Sequence, residues 1–339
     1  MSIHFHGVSK MQLDLQPIDD PNDDCPDYGG PIVELPPDRS YGPMFESAQM
    51  PQAWHQFSWV KDQLWKHATG KGVRIAYLDT GYNQHQYGPK PIAARSFIAG
   101  QSWADGNGHG SHVVGSGSCR KDEQGNSIGL ATDSELIVGK VLSNQGSGAS
   151  DGIAAGVRWA ADQGADVISM SLGGGGPDQE TNAAIDYAWS KGCIVNAAAG
   201  NAGYNGSNTI GWPAKYANCL CCGAYGENGG IANFSSGGRE LDWACPGVNV
   251  VSFSTNGSGF RQMSGTSMAT PWGSGLLACL VELRKRQGLP AFTSAQEVRD
   301  YFDKVLQDAG APGFDVRFGK GIANGEFLIS ALLKDLTAA

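Results

Sequence analysis

No stretch of this chain approaches the roughly 18 to 20 consecutive apolar residues that a membrane-crossing helix needs, so no membrane partner is expected. Clustered basic charge is missing too. Lys and Arg total 24 against 33 Asp and Glu, for a net charge of −9, and no basic stripe offers a footprint for nucleic acid. The eight cysteines contain no pair of Cys-x-x-Cys knuckles; the spacing Cys219-Leu220-Cys221-Cys222 does not suit zinc. His109 and His112 stand one helical turn apart, but without a His-Glu-x-x-His pattern they make a poor metal pair. The start Met1-Ser2-Ile3-His4-Phe5-His6 lacks the charged and then greasy order of an export signal. That predicts a cytoplasmic protein whose thiols stay reduced, with Cys193, Cys219, Cys221 and Cys222 acting as small hydrophobes in buried strands.

Glycine is what the chain has in excess: 49 residues, roughly twice the usual share of about 7%, as many strands and helices joined by tight turns require. Residues 1–50 stand apart, with nine acids against two bases and seven of the sixteen prolines. Such a segment packs poorly alone. Alternating Ile3 and Phe5, then Met11, Leu13 and Leu15, predict a small hairpin against the main body. Asp20, Asn22 and Asp24 imitate the start of an EF-hand loop, but Cys25 replaces its glycine and Pro31 falls where its bidentate acid belongs. We therefore divide the chain into an acidic, Pro-rich extension, 1–50, and a main domain, 51–339.

From Gly72 onward, apolar strands of about five residues alternate with helical stretches, which predicts βαβ units and a mostly parallel α/β sheet covered by helices on both faces. Val73–Leu78, Leu136–Val141, Val167–Met170 and Cys193–Ala198 are the strongest strands. Ser150–Gln163 places Ile153, Val157, Ala160 and Ala161 at helical spacing with Gly164 as a stop. Ser294-Ala295-Gln296-Glu297 has capping-box form before a second amphipathic helix.

Three segments carry chemistry. Tyr77-Leu78-Asp79-Thr80-Gly81 puts a carboxylate at the end of an apolar strand. Gly108-His109-Gly110-Ser111-His112 sets an imidazole among glycines. Gly265-Thr266-Ser267-Met268-Ala269-Thr270-Pro271 presents a serine where a glycine turn feeds an apolar helix, with Pro271 expected in its first turn. A serine hydroxyl is a poor nucleophile until a base takes its proton and an acid steadies that base. The chain order Asp, His, Ser differs from the orders in chymotrypsin-like proteases and α/β-hydrolases.

With Val167-Ile168-Ser169-Met170-Ser171-Leu172-Gly173-Gly174 and Ala197-Ala198-Ala199-Gly200-Asn201, these blocks resemble the subtilisin-like serine protease family, nearest its intracellular members. The resemblance implies a subtilisin-like fold and a serine endopeptidase working through an acyl-enzyme. Asp79, His109 and Ser267 would be its triad and Asn201 an oxyanion donor. It also implies that Ser171, Leu172, Gly173, Ala198, Ala199 and Gly200 wall the first specificity pocket, with Gly211 at its base. Since no acid or base stands in those blocks, a large apolar residue before the scissile bond is expected. Gly146-Ser147-Gly148 resembles the edge strand that pairs with substrate backbone.

The expected partner is therefore polypeptide. A peptide-binding pseudoenzyme or an esterase using the same cleft is the alternative. No cofactor is needed for the chemistry. Gly125–Ala131 resembles the family's calcium loop and leaves a structural calcium open, with no oxygen ligand assigned by spacing. Trp272, where the family often has His, predicts altered packing behind the nucleophile. The leader carries one further expectation, that part of residues 17–50 lies over the cleft and delays activity until removed.

Overall fold

The computed structural model describes residues 25–35, 40–46 (by backbone alone), 49–174, 176–255, 257, 259–325 and 328. The hairpin expected between Ile3 and Leu15 and the acidic run 19–24 lie outside these residues. Twelve strands are described: β1 (Ile32–Glu34), β2 (Ser40–Glu46), β3 (Arg74–Asp79), β4 (Pro91–Ser96), β5 (Glu135–Lys140), β6 (Ser147–Ala149), β7 (Val167–Met170), β8 (Ile194–Ala198), β9 (Leu220–Tyr225), β10 (Trp243–Pro246), β11 (Val250–Phe253) and β12 (Gly259–Ser264). The helices are α1 (Trp65–His67), α2 (His109–Ser118), α3 (Ser150–Asp162), α4 (Gln179–Ser190), α5 (Thr266–Arg286) and α6 (Ala295–Val305).

Seven strands form the central sheet in the order β10-β9-β8-β7-β3-β5-β4, and every neighbouring pair runs parallel. A parallel sheet is buried on both faces, which is why β7, β8 and β9 are buried at every position. Helices α3 and α4 pack on each other and on β5 and β8. A second layer, α2 with α5, packs against β3 and β7 to β9. The four strongest strands and the helix Ser150–Gln163 fall where the sequence pattern put them, to within a residue at each end. Gly164, at φ +72°, closes α3 in the left-handed conformation glycine tolerates. At α6 the Ser294 hydroxyl accepts from Glu297 N at 3.2 Å, while the Glu297 carboxylate reaches Thr293 N at 2.9 Å, one residue beyond an ordinary capping box. The buried cysteines Cys119, Cys193, Cys219, Cys221, Cys222, Cys245 and Cys279 are free thiols. Burial in the apolar strands pushes the Cys193 thiol up to about 12 and that of Cys221 well above its ordinary value, so both behave as hydrophobes.

The extension is stitched to this body in two places. β1 pairs antiparallel with β6. β2 pairs antiparallel with β12, which together with β11 completes a three-stranded sheet.

Candidate active site

β3 sits inside the sheet and delivers Asp79 at its carboxyl end, where the reactive groups of open parallel sheets collect. Asp79 is 1% exposed. Its Oδ1 accepts from His109 Nδ1 at 2.7 Å and from Thr80 N at 2.7 Å. Because an ionised carboxylate only accepts, Nδ1 carries the ring proton and Nε2 is left as the basic nitrogen. His109 opens α2, and the approach of that helix to the strand end is very close. A Cβ placed on Gly110 would lie 2.1 Å from Gly81 O, which explains why the histidine is flanked by glycines.

Ser267 is the second residue of α5 and is fully buried. Its Oγ lies 3.4 Å from Ser171 O. Helices α5 and α2 pack where both are small, since a Cβ on Gly275 would stand 2.8 Å from Gly117 O. Pro271 is not in the first turn as expected; it is the sixth residue of α5. A proline there withdraws the amide that Ser267 O would have received. The Ser171 hydroxyl replaces it, donating to Ser267 O at 2.8 Å, so the substrate-side segment and the serine backbone are tied directly. Trp272 is buried and meets Phe57 and Trp59 edge-on, with ring centroids at 6.0 Å and 6.4 Å.

Asn201 Oδ1 accepts from Thr266 N and from Thr266 Oγ1, both at 2.9 Å. A backbone N–H can only donate, so the amide orientation is fixed chemically, and Nδ2 is turned away from Thr266. A cavity of about 650 Å³ opens here, lined by Gly173, Ala198, Gly200, Asn201 and Gly211. Lys215 lines it as well, a base that lies outside the blocks read from the sequence. Its ammonium stands 5.9 Å from the centroid of the Trp212 ring. Leu172 and Ala199 are instead fully buried in the core.

Residues 32–35 run between Gly146–Ala149 and Gly173. Gly148 pairs with Val33 and Ser147 with Glu34. On the other flank Glu34 bridges Gly173, with Glu34 N donating to Gly173 O at 3.4 Å and Gly173 N to Glu34 O at 3.2 Å. Leu35 N donates to Gly146 O at 2.9 Å. Residues 36–39 lie outside the described set, after which β2 lies along β12, the strand that leads into Ser267.

His112, one turn beyond His109, is no ligand site. Its Nε2 donates to Val250 O and Arg261 O, both at 3.1 Å, and burial pushes its pKa down to about 3. Among the described residues no group of three His, Cys, Asp or Glu is placed to hold a metal. In the loop that leaves a structural calcium open, and at Gln124 just before it, several carbonyls already face protein donors. Gln124 O accepts from Lys61 Nζ at 3.2 Å, Asn126 O from Asp122 N at 2.9 Å, Ser127 O from Gln56 Nε2 at 3.0 Å and Leu130 O from Trp65 Nε1 at 2.8 Å. The Lys61 ammonium also takes Asn126 Oδ1 at 2.7 Å, so positive charge in this loop is supplied by a side chain.

Two polar residues beside the site escaped the sequence reading. Asp105 is 3% exposed and Lys140 is fully buried, and both contact Thr80. The available signals were an acid four residues before His109 and a lone charge inside the apolar run Leu136–Val141.

A parallel α/β sheet that brings a strand-end aspartate to a histidine, with a serine at the start of a neighbouring helix, is the kind of framework that serine-nucleophile hydrolases use. Residues 70–321 match the model of the subtilase family. The chain is 38% identical over 259 residues to subtilisin DY of Bacillus licheniformis, covering 76% of this chain and 90% of that protein. It is 37% identical over 259 residues to subtilisin Savinase of Lederbergia lenta, covering 76% of this chain and 91% of that one. An alkaline elastase of Bacillus sp. strain YaB is 36% identical over the same length, or 65% of its own chain. This protein belongs to the subtilase family and is a subtilisin-like serine endopeptidase acting on polypeptides.

Proposed function

We propose that Asp79, His109 and Ser267 act as the triad of this endopeptidase. His109 Nε2 takes the Ser267 proton as Oγ attacks the scissile carbonyl, and Asp79 stabilises the imidazolium that forms. The proton then passes from Nε2 to the leaving amine, and water releases the acyl group by the reverse sequence. Asn201 Nδ2 and the Ser267 backbone N–H stabilise the oxyanion, helped by the positive end of α5. The observation that carries this reading is the buried 2.7 Å contact between His109 Nδ1 and Asp79 Oδ1, which fixes the ring tautomer that the chemistry requires. Gly146–Gly148 and Ser171–Gly173 pair with substrate on its two sides. The cavity at Gly211 takes a large apolar side chain, with Lys215 at its lining.

Covalent labelling with a fluorophosphonate tests the nucleophile: Ser267→Ala abolishes labelling, and labelling that persists elsewhere defeats the assignment. Peptide hydrolysis falls about 10²- to 10³-fold for Asn201→Ala, the scale for one oxyanion donor in subtilisin. It falls about 10⁴- to 10⁶-fold for a triad member. Ester cleavage with no peptide cleavage favours the esterase reading, and an unreactive serine favours the pseudoenzyme.

The same reading gives the leader a role. Substrate backbone and Ile32–Leu35 compete for one set of hydrogen bonds, so the extension holds the protease inactive until it is displaced or removed. A form starting near Pro51 hydrolyses peptides with a higher kcat/KM than the full chain. So does full-chain Glu34→Pro, because proline has no N–H for Gly173 O. Equal kcat/KM in all three forms discards the inhibitory role.

A further inference from the structure

Thr80 follows the triad aspartate and is gripped at every polar atom. Its N–H donates to Asp79 Oδ1 at 2.7 Å. Its hydroxyl donates to Asp105 Oδ1 at 2.9 Å and accepts from Gly110 N at 2.9 Å. Its carbonyl accepts from Lys140 Nζ at 2.5 Å.

Asp105 is the organiser of the turn that enters α2. Besides Thr80, its Oδ1 accepts from Asn107 N at 3.0 Å and Gly108 N at 2.8 Å. Its Oδ2 accepts from Ser111 N at 2.8 Å and Ser111 Oγ at 2.7 Å. One buried carboxylate therefore joins the residue after Asp79 to both sides of His109. Lys140 is the register partner of Asp79 across β3 and β5, and its ammonium also reaches Asn144 Oδ1 at 2.9 Å. Neither residue is in line to touch a substrate through these contacts; each acts through Thr80.

We propose that Asp105 and Lys140 are a pair of positioning residues for the reaction: they lock Thr80, and through it the Asp79–His109 hydrogen bond, and their opposite charges move the basicity of His109 in opposite directions. The inference rests on the triad reading above. A cation near the histidine opposes imidazolium and an anion favours it. Asp79 on β3 contacts His109 directly, Lys140 on β5 and Asp105 in the entering turn reach the same strand end through Thr80, and His112 on its own helix interacts with His109 and, beyond it, with His55, while Arg261 on β12 meets His112 through its carbonyl. His112 and His55 are held near 3 and near 4 by burial, so neither changes charge in the working range. The first turn of α5 carries no acid. Burial lowers Lys140 to about 8, with Asp105 and Asp79 opposing that shift, as expected if the three charges share one pocket.

The test is the rate of inactivation of the full chain by a small fluorophosphonate, followed from pH 5 to 9, for wild type, Lys140→Met, Asp105→Asn and Asn144→Asp. The acid limb of the profile moves up by about half a unit to one unit in Lys140→Met and down by a similar amount in Asp105→Asn. The plateau rate falls at least about 10-fold in both. Asn144→Asp adds a carboxylate beside the ammonium at an exposed position, keeps the plateau, and moves the limb up by a smaller amount. It carries the test if a buried variant does not fold. Limbs that stay put, or that move in one direction in Lys140→Met and Asp105→Asn alike, overturn the proposal. Unreactive wild type, or labelling that survives Ser267→Ala, defeats the triad reading instead.

Discussion

Two aspartates order two turns by the same chemistry, each drawing backbone N–H groups onto one carboxylate. Asp105 does so under the cleft, where it is 3% exposed and takes five donors. Asp122 does so in the outer loop, half-buried, with Gln124 N at 3.0 Å, Asn126 N at 2.7 Å and Asn126 Nδ2 at 3.3 Å. The first turn places His109; the second places no group of the proposed chemistry. A buried carboxylate has no water to fall back on, so its donors are committed. A half-buried one shares its donors with solvent at less cost. The comparison teaches that charge near the cleft is structural machinery, whereas charge in the outer loop is replaceable.

The sharpest way to break that contrast is to remove both carboxylates. Asp105→Ala leaves several buried donors unanswered and costs at least about 3 kcal/mol of stability, measured by denaturant unfolding. Asp122→Ala costs about 1 kcal/mol and leaves peptide hydrolysis unchanged. Equal losses would remove the distinction.

Acid titration sharpens it further. His55, whose Nε2 accepts from Val251 N at 3.2 Å, is pushed down to about 4 by burial. A histidine whose folded pKa lies below its unfolded 6.5 binds fewer protons when folded between those values. Its neutral burial is therefore cost-free above pH 6.5, and stability is lost as pH falls from 6.5 towards 4. The loss is on the order of 3 kcal/mol from this residue, and His112 extends it to about pH 3. Unfolding midpoints recorded from pH 7 to 3.5 read the slope, and His55→Gln flattens it. A profile without that slope refutes the buried-neutral assignment.

These regions also differ in how well they read from sequence. Strand β3 and helix α3 announce themselves because burial and helix amphipathicity write periodic apolar patterns. Asp79, His109, Ser267 and Asn201 stand out as motifs because the roles proposed for them need fixed neighbours, glycines above all. Asp105 and Lys140 do not, since a buried charge looks like a surface charge until its partners are known, and those partners lie in other segments. Pro271 was misplaced for the same reason: only the distant Ser171 hydroxyl makes a proline tolerable there. The pairing of β1 leaves no such signal, because three residues set between β6 and Gly173 write no periodic trace.

The smallest effect belongs to the loop at Lys61. If its ammonium and the loop's own N–H donors occupy the oxygens that a cation would need, calcium has nothing left to coordinate there. Hydrogen exchange of residues 119–130 is then the same with millimolar calcium as with a chelator, a local readout indifferent to ions bound elsewhere. Lys61→Met speeds that exchange and lowers stability by at most about 1 kcal/mol, as befits a solvated contact. The difference between Lys61→Met and wild type narrows at high salt, because screening acts on charges open to solvent. The buried pair at Thr80 is shielded from the same salt, so its effect on the pH profile persists where that of Lys61 fades. Calcium-dependent protection of this loop in wild type would mean that the lysine yields to the ion, and the outer loop would then be a metal site after all.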